Sequence, residues 1–494
     1  MKYILAIDQG TTGSRAFIFD KRGNIVSSSY KEFRQIYPHP GWVEHNPLEL
    51  WQSVEFVVKE ALKRKQIKPA EIAAIGITNQ RETTILWERK TGRPVHNAIV
   101  WQCRRTKDIC EKLKNAGYAE IFHKKTGLVL DAYFSGTKIK WLLDNIKGLR
   151  AKALAGEICF GTVDSWLIWN LTGRSAHITD YTNASRTLIF NIKEKKWDRE
   201  LLKIFNIPRG ILPKVNASSS FFGKTTKGAC GLISGIPIFG VAGDQQAALF
   251  GQGCFLPGQM KNTYGTGCFF LLNTGAKYIL SKNGLLTTLA CDSKGKPVYA
   301  LEGAVFITGA AVQWLRDELK IIKTASESES LAKKVPNTKG VYFVPAFVGL
   351  GAPYWDSSAR GTITGITRGT NRNHIIRATL EAIAYQVKDV VGVMEKETKE
   401  RLYALRVDGG AAGNNFLMQF QADILGVNIL RPKVTETTAR GAAMLAGLGA
   451  GFWRSVSELK KTIRTERIFL PQMKNPQRNK LYTGWLKAVE KARL

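Results

Sequence analysis

The chain has 494 residues, with 72 lysine and arginine against 40 aspartate and glutamate, a formal net charge of +32. Its length predicts two or three domains, and a hydrophobic content of 44% excludes a disordered polymer. Uncharged, largely apolar runs such as 303–315 and 441–453 fall short of the roughly 20 residues a bilayer crossing needs, so no membrane span is expected.

The opening run Met1 to Ile7 meets a charge at Asp8 and reads as a first strand rather than a signal peptide. After a Gly/Thr turn, Arg15 to Phe19 is a second strand, Lys21 to Asn24 a turn, and Ile25 to Ser29 a third strand. From Pro47 to Lys65, Leu48, Trp51, Val54, Val58 and Leu62 recur at helical spacing and predict an amphipathic helix. Ile72 to Thr78 is a buried strand. The apolar strand Ile236 to Ala242 ends in Gly243-Asp244, where an alanine-rich helix begins. Met260 to Tyr264, the tip Gly265-Thr266-Gly267, and Cys268 to Asn273 repeat the strand, Gly/Thr tip, strand order of the N-terminus. Such a mixture indicates α/β domains, and the echo predicts a duplication with its boundary near Gly251-Gln252-Gly253. The cleft between the halves is the expected ligand site.

The seven cysteines are scattered without a C-x-x-C pair, which predicts reduced thiols, and no Cys/His cluster has zinc spacing. The basic residues are spread along the chain, although residues 454–494 carry 11 lysines and arginines against 3 acids. No basic run is interleaved with aromatics, so the charge reads as solvated faces and no nucleic-acid partner is expected.

Three segments carry chemistry. In Asp8-Gln9-Gly10-Thr11-Thr12-Gly13, glycines let several N–H groups converge on one anion and threonine hydroxyls add donors. Arg15 adds a guanidinium fork, and Asp8 suits magnesium, through water, rather than phosphate. The segment also reads as a plain hairpin turn, and no G-K-[ST] follows to make it a Walker loop. Asp244, ending a buried strand, serves equally well as a general base or as a helix N-cap. In Val407-Asp408-Gly409-Gly410-Ala411-Ala412-Gly413-Asn414, a glycine turn lets a flat base or ribose approach the backbone.

In this order and spacing the three segments resemble the phosphate 1, phosphate 2 and adenosine segments of the actin-like ATPase superfamily. Tyr133 to Asn145 resembles the first signature of the FGGY carbohydrate kinases, and Gly361 to Ile366 with His374 to Glu381 resembles the second. Asn79-Gln80-Arg81-Glu82 and Trp101-Gln102-Cys103-Arg104-Arg105-Thr106 are similar to the glycerol-phosphorylating branch, whereas xylulose-type relatives usually carry Gln-His-Gly near the first.

The resemblance implies an α/β fold of two ribonuclease H-like domains, 1–252 and 253–494, flanking a deep catalytic cleft. It implies ATP and Mg2+ as cofactors, with glycerol as acceptor. Arg81, Glu82, Tyr133, Asp244 and Gln245 would bind glycerol hydroxyls, with Trp101 and Phe269 covering its carbons, although both aromatics also read as ordinary core. Thr11, Thr12, Gly13, Arg15, Thr266, Gly309, Gln313, Gly410 and Asn414 would surround the nucleotide. Asp8 and Asp244 would hold the metal, and Asp244 would be the base. Rival readings are a kinase for another polyol or ketose, such as erythritol or dihydroxyacetone, and a nucleotide-gated actin-like binding protein. A cytoplasmic homodimer or homotetramer is expected. The terminal Ala492-Arg493-Leu494 loosely matches a peroxisomal address.

Overall fold

In the computed structural model, which describes residues 1–494, the chain opens with three antiparallel strands. These are β1 (Tyr3–Gln9), β2 (Gly13–Phe19) and β3 (Ile25–Glu32). β4 (Ile72–Asn79) pairs parallel to β1, and β5 (Pro237–Gly243) parallel to β4. With the edge strand Ser219–Lys224 they form one six-stranded sheet. Its middle strands are apolar runs buried on both faces, as a parallel strand covered on two sides requires.

The second half repeats the plan. β6 (Met260–Tyr264), β7 (Cys268–Gly275) and β8 (Pro297–Val305) form an antiparallel meander. β9 (Ala404–Asp408) adds parallel to β6, and β10 (Asn428–Pro432) parallel to β9. The Gly/Thr echo in the sequence therefore marks a real duplication of topology.

Helix α1 (Pro47–Arg64) covers the first sheet. Asn46 caps it by accepting the Leu48 N–H, and Pro47 fills the first turn where its missing donor costs nothing. The buried stripe is Leu50, Val54, Val57, Val58, Ala61 and Leu62. Leu48, expected on this face, is 51% exposed. Two residues before Leu50, it lies roughly 200° around the helix from the stripe, on the solvent side.

Four further helices bear on the site. They are α2 (Ser135–Asn145), α3 (Asp244–Gly251), α4 (Gly309–Asp317) and the long α5 (Arg372–Thr398). A last one, α6 (Thr437–Gly449), crosses between the halves. Although it follows the second sheet in sequence, its Ala439, Ala443, Met444, Leu445 and Ala446 pack with Ile4, Ala6, Phe17, Ala74 and Ala242 of the first. Glycine makes that approach possible. A Cβ on Gly76 would lie 2.2 Å from the Ala442 carbonyl oxygen, one on Gly240 2.4 Å from the Ala446 nitrogen, and one on Gly441 1.8 Å from the Ala247 oxygen. These neighbours are backbone and cannot swing aside. Gly441→Ala is expected to push α6 off α3 and to cost about 3 kcal/mol, the upper range for overpacking, read as a lower urea midpoint.

No helix is long and apolar enough to cross a membrane. Ala492 is buried, and Arg493 Nε lies 3.1 Å from Asp356 Oδ2.

Candidate active site

β1, β4 and β5 run parallel and end level, with Gln9 opposite Asn79 and Asn79 opposite Gly243. The three segments that follow, Gly10–Thr12, Gln80–Thr83 and Asp244, therefore open from one edge of the sheet, where ligands bind in open α/β sheets. In the first, the Gly10 N–H donates to the Gly13 oxygen at 2.9 Å. Gly13 is pressed against Tyr30 and Lys31, where a Cβ would meet atoms at 2.5 and 2.8 Å. Gln35 Nε2 donates to the Thr11 carbonyl at 3.0 Å, and the Trp101 indole N–H donates to Thr11 Oγ1 at 2.9 Å. The aromatic wall and the loop are thus joined directly.

Asp8 and Arg15 are cross-strand neighbours. Burial pushes the Asp8 carboxyl up to about 7, Arg15 opposes the rise, and Asp244 and Glu436 add to it. Arg15 itself is half-exposed and pairs with Glu436 at 3.3 Å. Asp8 and Asp244 supply hard oxygen donors that repel each other, a pairing that a divalent cation relieves. No group of three or more His, Cys, Asp or Glu is gathered into a cage. Such a donor set fits a cation that keeps water and phosphate oxygens as its remaining ligands.

Asp244 is the first residue of α3, with its Oδ1 accepting the Gln245 N–H at 2.7 Å. The N-cap of α3 is Gly243 and makes no side-chain cap bond, so Asp244 stands one position inside the helix and the N-cap reading is not met. The strand end that carries it is anchored from behind. The Gly243 N–H donates to Thr182 Oγ1 at 2.8 Å, and Thr182 Oγ1 donates to the buried Asp180 carboxylate at 3.0 Å.

Around Asp244 lies a buried ion network. Arg81 Nε is 3.2 Å from Asp244 Oδ1 and 3.7 Å from Glu82 Oε1. Its two terminal nitrogens grip Glu302 at 2.6 and 3.0 Å, and Nη1 also donates to Gln246 Oε1 at 3.2 Å. Arg186, fully buried, donates to Glu82 at 2.6 Å and to Glu302 at 3.0 Å. Burial favours a neutral Glu302, but Arg186 and Arg81 outweigh it and hold the carboxyl at about 2. For Glu82 the balance falls the other way, burial raising its carboxyl against the pull of Arg81 and Arg186.

Glu302 comes from β8, in the second half of the chain. Strand register explains how it arrives with company. Lys261 and Glu302 both stand opposite Leu271, and Phe269 stands opposite Thr263 and Ala304, so these side chains share one face of the second sheet. Lys261 donates to Gln245 Oε1 at 2.5 Å and to Thr263 Oγ1 at 2.9 Å. Burial lowers its ammonium to about 8, opposed by Asp408 and Asp244.

Tyr133 stands edge-on to Trp101 with ring centroids 5.5 Å apart, and the Arg186 guanidinium lies 5.8 Å from the Tyr133 ring. The Trp101 segment also supplies support. Arg104 holds Asp131 through two bonds at 2.6 and 3.0 Å, and Asp131 accepts the Tyr133 N–H at 2.8 Å. Arg105 reaches Glu44 at 2.6 Å with its guanidinium 3.9 Å from the Trp42 ring.

The remaining candidates lie in the second half. The Thr266 carbonyl accepts the Thr308 and Ala310 N–H groups at 2.9 and 3.1 Å, docking the Gly265–Gly267 tip onto the start of α4. Gly309 sits in that joint, where a Cβ would lie 2.5 Å from the Gly265 oxygen. Gln313, one turn along α4, is exposed. Gly409, at φ +85°, presses on Tyr264 and so brings Gly410 beside the same tip. Asn414 caps the helix Asn415–Leu425 and donates to Ser328 Oγ at 3.2 Å.

Arg81, Glu82, Tyr133, Trp101, Asp244 and Gln245 thus form one connected group, and Thr266, Gly309 and Gly410 a second. Glu302, Arg186, Lys261 and Gln246 belong to the first group and escaped the sequence reading. Only Glu302 left a signal there, as a lone acid inside an apolar strand.

Two lobes of one topology, facing each other over a carboxylate and a Gly/Thr loop, define the two-domain α/β sugar-kinase fold. The sequence model for the FGGY family of carbohydrate kinases, N-terminal domain, matches residues 3–251, and that for its C-terminal domain matches 260–450. The chain belongs to this family. It is 63% identical over 492 residues to glycerol kinase 2 of Thermotoga maritima, covering 100% of this chain and 99% of that protein. It is 60% identical over 491 residues to glycerol kinase of Haemophilus influenzae, covering 99% and 97%. Among solved structures, Plasmodium falciparum glycerol kinase with ADP is similar with a TM-score of 0.95 at 40% identity, covering 100% and 99%.

Proposed function

We propose that the chain transfers the terminal phosphoryl group of ATP to glycerol, giving ADP and sn-glycerol 3-phosphate. The observation that carries this reading is the meeting of Arg81, Glu82 and Asp244 at the sheet edge from which the Gly10–Thr12 loop opens. Full-length similarity to proteins named glycerol kinase supports it.

Asp244 accepts the proton of the attacking hydroxyl. In a loose phosphoryl transfer that proton leaves late, so a carboxylate of ordinary basicity suffices. Arg81 has five N–H donors; Glu302 takes two, Gln246 one, and the Nε hydrogen faces Asp244. One Nη2 hydrogen is left for an acceptor hydroxyl. Glu82, Tyr133 and Gln245 meet the other hydroxyls, and Trp101 and Phe269 cover the carbons. Thr11, Thr12, Gly13 and Arg15 bind phosphate, while Thr266, Gly309, Gln313, Gly410 and Asn414 hold the remainder of the nucleotide. A magnesium ion carried by Asp8 and Asp244 would supply neutralisation of phosphate charge. Most of the acceleration comes from alignment of the two substrates in a site closed to water.

The test is ADP release across glycerol, erythritol, dihydroxyacetone, xylulose and gluconate. The highest kcat/KM is expected with glycerol. A higher value for any other acceptor overturns the assignment.

A further inference from the structure

Lys138 belongs to the signature segment Tyr133–Asn145, yet the mechanism above gives it nothing to do. It is completely buried on α2 and makes no ion pair. Its ammonium donates to two main-chain carbonyls, that of Tyr133 at 2.6 Å and that of Glu82 at 3.2 Å, the latter 56 residues upstream. The Glu82 carbonyl also accepts Ser135 Oγ at 3.0 Å. Glu82 itself is a non-glycine residue at φ +62°, a conformation that surrounding structure must hold in place.

Burying an ammonium without an ion pair is expensive, and here burial lowers it to about 7, with Glu82 opposing the shift. A methionine of similar length would fill the same space with no such penalty. The cost is therefore not explained by packing. What the ammonium alone provides is one rigid point joining the backbones of two residues that face the acceptor. Without the ammonium the Glu82 carbonyl keeps only the Ser135 and Thr84 hydroxyls, at 3.0 and 3.2 Å, and loses its tie to the Tyr133 carbonyl, so the spacing between the Glu82 carboxylate and the Tyr133 ring is held less firmly.

We propose that Lys138 is a positioning residue for the acceptor site, fixing Glu82 and Tyr133 relative to each other without touching substrate. The inference rests on the glycerol phosphotransfer proposed above. It locates part of the acceptor specificity in a side chain outside the contact layer.

The test compares the parent with Lys138→Met, which keeps length and removes the donors, and Lys138→Gln, which restores a shorter neutral donor. For Lys138→Met the KM for glycerol is expected to rise roughly tenfold or more, with the KM for ATP within about twofold of the parent. Its urea midpoint should equal or exceed the parent's, because a buried unpaired charge has gone. Lys138→Gln should fall between the two in glycerol KM. The proposal is overturned if Lys138→Met keeps a parental glycerol KM, or if both KM values and the midpoint worsen together, as a purely structural role requires. Should the methionine variant not fold, the glutamine variant is judged by the same criteria. A parent that prefers another polyol overturns the glycerol reading instead, and the comparison is then made on the KM of that polyol.

Discussion

Asp244→Asn is expected to lower kcat for glycerol phosphorylation by about 10² to 10⁴, the range that loss of a general base produces. Asparagine matches aspartate in shape and keeps an oxygen for the Gln245 N–H and for Arg81 Nε, which stand at 2.7 and 3.2 Å. What it lacks is the ability to take the hydroxyl proton. Glycerol affinity, followed as protection against thermal unfolding, should therefore change little. The proposed metal role of Asp244 adds a second signature, a higher magnesium concentration for half-maximal rate. A variant that bound glycerol normally and kept more than about a tenth of kcat would remove Asp244 as the base.

Glu302→Ala should have the largest effect on the protein as a whole. It leaves Arg81 and Arg186, with side chains 2% and 0% exposed, without the carboxylate they share. Breaking a buried pair from one side costs about 3 to 5 kcal/mol, because the remaining charges stay buried and uncompensated. Glu82 lies beside both guanidinium groups and Asp244 beside Arg81, but neither can occupy the place of Glu302. A urea midpoint well below the parent's, with little recovery on adding glycerol, is the expected result. An unchanged midpoint would mean that water reaches the arginines and that the network is not closed. Glu302→Gln keeps the shape and should fold better while still losing activity, since an amide cannot oppose two guanidinium charges.

These two residues also mark where the sequence was readable. Asp244 drew attention as a candidate because a strand, a glycine and an acid stand next to one another, and such local patterns survive in one dimension. The loop at Gly10–Thr12 and its echo at Gly265–Gly267 were legible for the same reason, and through them so was the duplicated α/β fold. Glu302 and Arg186 were not. Arg186 meets Glu82 across 104 residues of the first half and Glu302 across 116, so the first pairing depends on long-range folding and the second on how the two halves face each other. Lys261 was hidden similarly, since nothing before Asn262-Thr263-Tyr264 indicates that its strand register turns it toward Gln245. The misplacement of Leu48 has a smaller cause: one apolar residue in a first helical turn fits two stripes, and only the sheet beneath selects between them.

The α6 seam has a consequence for biosynthesis. The glycines at 76 and 240 prepare the first sheet for a helix made about two hundred residues after the second of them. At about 5–20 residues per second, translation needs on the order of 10 to 40 s to deliver it. Until then the face containing Ile4, Ala6, Ala74 and Ala242 lacks the cover that Ala439, Ala443, Leu445 and Ala446 later give it. That waiting surface is built largely of the smallest side chains. Ile4, Phe17 and Phe19 stand among those alanines, so the first half made alone offers a partly apolar face that the late-arriving α6 completes.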